Sequence, residues 1–127
     1  MNAESELLRA YREWRRLALA ETKAIQTRNW RLLADCHLVI RDYQSLVSTL
    51  TRAARTEWQS AGCDLAQKEA NLKIMVSDLM EITRNNHVLL QAARGRVRRQ
   101  LDELGTVGGN LKRIGRAYGQ VAAGRLV

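Results

Sequence analysis

An all-α fold, an antiparallel three-helix bundle, follows from three observations. The chain of 127 residues contains no proline. Leu, Ala, Arg, Glu and Gln fill its length and all favour helix. Apolar residues recur at alternating steps of three and four through three long runs, separated by two short polar corners. No stretch carries a strand signature, since phenylalanine is absent and β-branched runs are few. Corners of a few residues force consecutive helices to run antiparallel. A chain of this length suits one domain with one core.

The first helix spans about residues 3–26. Leu7, Tyr11, Trp14, Ala18 and Ile25 form its stripe, broadened by Leu8 and Leu17, and Glu4 and Glu6 complement the free N–H groups of its first turn. The stretch Thr27-Arg28-Asn29 reads as a tight corner, with Asn29 placed to cap the next helix.

The second helix spans about 30–59 and has the cleanest pattern: Leu33, Cys36, Ile40, Tyr43, Val47, Leu50 and Ala54, flanked by Leu32, Val39, Leu46 and Ala53. A face that wide suits packing against two neighbours. Gly62 is placed to adopt the left-handed conformation that closes a helix, and Asp64 with Gln67 three residues later reads as a capping box.

The third helix spans about 64–104. Its seam runs through Leu72, Met75, Leu79, Ile82, Leu89 and Ala93 and is broken by Asn86, where an apolar side chain belongs. A single buried asparagine fixes register or partner at some cost in stability. A second row, Val76, Leu90, Val97 and Leu104, recurs at sevens with Thr83 as its polar break. At roughly 1.5 Å per residue this helix outruns the other two, so part of its face is expected to meet a partner. The candidate partner-binding residues are Asn86, Leu89, Leu90, Val97, Leu101 and Leu104; the bundle core and a homodimer interface are the competing roles for the leucines and the valine. Gly95 marks a change of step in the seam. From Gly105 onward six glycines in residues 105–127 predict a flexible, basic C-terminal tail.

The net charge of +8 is uneven along the chain. Residues 1–83 hold 12 Lys and Arg against 11 Asp and Glu, whereas residues 84–127 hold 9 against 2. Arg94, Arg98, Arg99, Lys112, Arg113 and Arg116 make a candidate basic patch, for which a solvated face, an acidic protein and nucleic acid compete. The patch lacks interleaved aromatics, and no helix-turn-helix or zinc-finger pattern accompanies it.

Catalytic and cofactor motifs are missing, so neither an enzyme nor a cofactor is expected. Cys36, His37, Cys63 and His87 lack metal-ligand spacing, and the two cysteines make no disulfide framework. The N-terminal segment carries acids and arginines where a signal peptide has an apolar centre, and no run is long and apolar enough to insert in a membrane. A cytoplasmic location is expected.

Three local features carry a resemblance to a known family. The corner and helix onset TRNWRLLADCHLVIRDYQSLVSTL resembles a segment of flagellar export chaperones of the FlgN and FliT type. Ile82, Asn86, Leu89 and Leu90, followed by RVRRQLDEL, are similar to the Asn-containing, Leu-rich final helix of FlgN-like proteins. Tyr118 in RAYG resembles in placement a tyrosine near their C-terminus. The resemblance implies a type III export chaperone that holds the terminal amphipathic helix of hook-associated flagellar proteins until export. It also implies that the long third helix supplies the docking groove and that Tyr118 engages an export-gate component. A nucleic-acid-binding helical protein and a self-associating coiled-coil scaffold remain the alternatives, and monomer and homodimer are both open.

Overall fold

The computed structural model describes the backbone of residues 2–126 and the side chains of residues 2–106. Three helices account for nearly all of it: α1 (Asn2–Gln26), α2 (Trp30–Ser60) and α3 (Leu65–Leu126). The first two match the sequence reading to within a residue. The third runs past Leu104 to Leu126, because a glycine within a helix costs only about 1 kcal/mol and no proline interrupts the backbone hydrogen bonds. The flexible-tail expectation for 105–127 falls on residues whose side chains, from 107 onward, lie outside those described.

Both corners are built in the same way. After α1, Asn29 N–H donates to Ala24 C=O at 2.8 Å and Arg28 N–H to Ile25 C=O at 3.2 Å. After α2, Cys63 N–H donates to Trp58 C=O at 3.0 Å and Gly62 N–H to Gln59 C=O at 3.3 Å. These are paired Schellman closures, which need a left-handed residue just past the helix. Gly62 fills that place in the second corner at φ 68°, and Arg28 fills it in the first at φ 57°. The next helices are then capped by side chains. Asn29 Oδ1 accepts from Leu32 N–H at 3.1 Å, and Asp64 Oδ1 accepts from Gln67 N–H at 3.2 Å. The predicted capping box is only half formed, since the Gln67 amide turns to Asn71 Oδ1 at 3.1 Å.

The chain divides into two compact units, Met1–Leu90 and Gln91–Val127. The first is the bundle. Ala3 and Glu4 bond Glu57 and Trp58, whereas Glu21 bonds His37, so α1 and α2 run antiparallel. Glu4 meets Lys68, Arg15 meets Asp78 and Thr22 meets Asn86, so α1 and α3 run parallel. Between α2 and α3, Arg55 forms a two-pronged bond with Glu69 at 2.6 and 3.1 Å.

One core cluster joins all three helices through Leu7, Tyr11, Leu50, Trp58, Leu72 and Leu79. A smaller one gathers Leu17, Cys36 and Ile40, with the half-buried Trp14 and Tyr43 packed against both. Removing these apolar surfaces from water is the main drive for the bundle. The second unit is a single stretch of helix, in which Val97, Leu101 and Leu104 are exposed.

Candidate functional site

The seams of α2 and α3 do not zip together along their whole length. Gln44 and Ser48 on α2 face Thr83 on α3, and polar or small side chains there leave a groove that larger apolar ones would fill. Its floor is α1. One hollow of about 250 Å³ lies between Leu33, His37 and Ile40 of α2 and Asn86, His87 and Leu90 of α3, above Trp14, Glu21 and Ile25. A neighbouring hollow of about 230 Å³ lies between Val47 and Ser48 of α2 and Val76, Leu79 and Met80 of α3, above Tyr11. Trp14, Gln44 and Thr83 line both, so the two hollows form one trough along the helix direction.

Two polar side chains sit in the otherwise apolar seams beside this trough. Asn86 is buried, and its Nδ2–H donates to Ala18 C=O at 2.8 Å. Its Oδ1 faces the Thr22 hydroxyl, which also lies 3.2 Å from Ala18 C=O. A hydroxyl has one proton, so it satisfies one of these two acceptors at a time. The network fixes α1 against α3 at this level: a slip of one residue would strand a buried amide. Glu21, 8% exposed, is the second. Its Oε2 lies 3.0 Å from Nδ1 of His37, which is itself exposed. Burial pushes the Glu21 carboxyl above its ordinary range, and the neighbouring imidazole opposes that shift.

The thiol of Cys36 is pushed up by burial and by the negative charges of Glu21 and Asp35, so it stays protonated at neutral pH. Cys36 is free and buried and Cys63 is free and half-buried. Among the described residues no three His, Cys, Asp or Glu side chains gather as metal ligands, and no helix is long and apolar enough to cross a membrane.

The sequence-derived partner residues divide between the two units. Asn86 and Leu90 line the trough of the first unit, and Leu89 is half-buried beside them in sequence. Val97, Leu101 and Leu104 lie in the second unit, as do Arg94, Arg98 and Arg99, all exposed. The side chains of Lys112, Arg113, Arg116 and Tyr118 lie outside the described residues. Sequence reasoning missed Trp14, Glu21, His37 and Gln44 as trough residues. Glu21 had a signal, since it stands between Ala18 and Ile25 at a helical interval that belongs to the buried stripe. Comparison with protein families, characterised proteins and solved structures gives no match to this chain.

Proposed function

We propose that this chain is a helix-docking module, a chaperone of the flagellar export type that shelters the terminal amphipathic helix of a hook-associated protein. The trough between α2 and α3 carries the reading. It is elongated, runs with the helices, and presents Trp14, Ile40, Val76, Met80 and Leu90 along its walls and floor. An amphipathic helix laid into such a trough would bury its apolar stripe and leave its polar face in water. The exposed Val97, Leu101 and Leu104 continue the apolar character of α3 at steps of four and three. By the family resemblance, Tyr118 is assigned to the export gate and the location to the cytoplasm.

Titration calorimetry with the terminal helical peptide of a hook-associated protein from the source organism tests the reading. Thr83→Arg fills the trough from an exposed position and is expected to weaken capture at least ten-fold with helicity unchanged. Equal binding by the wild type and this variant overturns it.

The exposed Arg94, Arg98 and Arg99 favour a second reading, binding of nucleic acid. That reading requires an affinity that falls steeply with salt.

A further inference from the structure

The acids of the bundle are not treated alike. Glu4 takes Lys68 at 2.8 Å, Glu13 takes Arg16 at 3.0 Å, Glu69 takes Arg55 at 2.6 Å and Asp78 takes Arg15 at 2.7 Å, so each has a permanently charged partner. Glu21 is the most buried of the five and has only an imidazole. His37 is weakly held, with 55% of its side chain exposed and this one close polar contact. An acid with so little compensation for its desolvation weakens the bundle more than an apolar residue would at the same place. The hollow around it mixes apolar Trp14, Ile40 and Leu90 with polar Gln44, Asn86 and His87. Glu21 is the single Asp or Glu among the residues lining that hollow.

We propose that Glu21 is the specificity-determining acid of the trough, and that the helix docked there presents one lysine or arginine beside its apolar stripe to the Glu21 carboxylate. This rests on the docking reading above and names the chemistry of the occupant. Charge complementarity argues for it: a carboxylate buried beside apolar walls rewards one cation and penalises an acid. The docked guanidinium displaces His37, whose ring turns to solvent, and forms a charge-assisted bond in a site from which water is excluded. The apolar walls set affinity, and Glu21 sets which helices are accepted.

A set of four 18-residue helical peptides tests this, each with the same leucine stripe and one arginine walked along a single turn, paired with four in which citrulline replaces the arginine. Citrulline keeps the shape and removes the charge. The wild-type protein is expected to bind one arginine peptide about ten-fold more tightly than its citrulline twin, and Glu21→Gln to lose that preference. His37→Ala leaves the carboxylate in place and removes its competitor, so it is expected to widen the preference for arginine over citrulline. This second variant decides the matter if Glu21→Gln loses its helicity. Equal binding of every arginine and citrulline pair by the wild type overturns the proposal and leaves the docking reading standing. Failure of all eight peptides to bind overturns both.

Discussion

The indole Nε1–H of Trp58 donates to Glu4 Oε2 across 3.0 Å, and the other oxygen of the same carboxylate holds Lys68 at 2.8 Å. One exposed-edge acid therefore ties α1 to both of its neighbours. The Lys68 ammonium also lies 5.8 Å from the centre of the Trp58 ring, where the electron-rich face attracts it. Trp58 is 2% exposed, so its N–H would have no partner without Glu4. Trp58→Phe, which keeps most of the ring and loses the donor, is expected to cost about 1 kcal/mol, against about 3–5 kcal/mol for Trp58→Ala, both read by urea unfolding.

The same contacts set an acid limb of stability. Hydrogen bonds from Lys68 and then Trp58 hold the Glu4 carboxyl below its ordinary value of 4.5. Its folded value is lowered relative to the unfolded chain, so its contribution is complete above pH 4.5 and is lost as pH falls through the folded value. Glu4→Gln is therefore expected to flatten the dependence of unfolding free energy on pH below 4.5 and to leave a lower plateau at neutrality. Unfolding curves collected between pH 3 and pH 7 check both features.

Arg28 and Gly62 hold the same left-handed backbone with different side chains. A residue with a Cβ resists the left-handed region, and glycine does not. Arg28→Gly is expected to raise stability by about 0.5–1 kcal/mol, and Gly62→Ala, whose added Cβ would touch nothing within 4 Å, to lower it by about 1 kcal/mol through the backbone alone. Thermal unfolding of the two variants measures both, and a loss on Arg28→Gly would contradict the account.

Asn86 and Thr22 should behave as a coupled pair. Thr22→Val leaves the buried Asn86 Oδ1 without its donor and is expected to cost about 1–2 kcal/mol, whereas in Asn86→Leu the Thr22 hydroxyl keeps Ala18 C=O and the cost is that of the lost Asn86 bonds, about 1 kcal/mol. The double variant removes both polar groups and should recover most of that loss. A double-mutant cycle showing simple additivity would mean that the two side chains do not depend on each other.

Glu21→Leu is expected to raise unfolding free energy by about 1 kcal/mol, since a carboxyl whose burial outweighs its pairing is replaced by an apolar side chain. The same variant should lose discrimination between arginine and citrulline peptides. Stability gained together with selectivity lost is the pattern of a residue kept for recognition.

What the sequence discloses here is what local geometry decides. Asn29, Gly62 and Asp64 each act within three or four residues of themselves, and each stands where its pattern places it. Asn86 showed itself as a polar break in a seam, although its two partners on α1 are 64 and 68 residues away and have no sequence signature. Arg28 was silent because the length of the corner, not the residue type, imposes its left-handed backbone. The trough was hidden for a related reason. Gln44 and Thr83 look like ordinary polar positions on their own helices, and only the meeting of α2 with α3 over α1 makes them the place where the seam stays open. Past Gly105 the density of glycine argued against helix one residue at a time, whereas α3 continues through them as one hydrogen-bonded run.

The three tryptophans occupy three depths: Trp58 in the core, Trp14 half-buried in the floor of the trough, and Trp30 exposed at the start of α2. The molecule thus contains its own optical gauges. With Trp30 and Trp58 replaced by phenylalanine, the emission of Trp14 alone would report whether the trough is filled with water or with a ligand, without any added label.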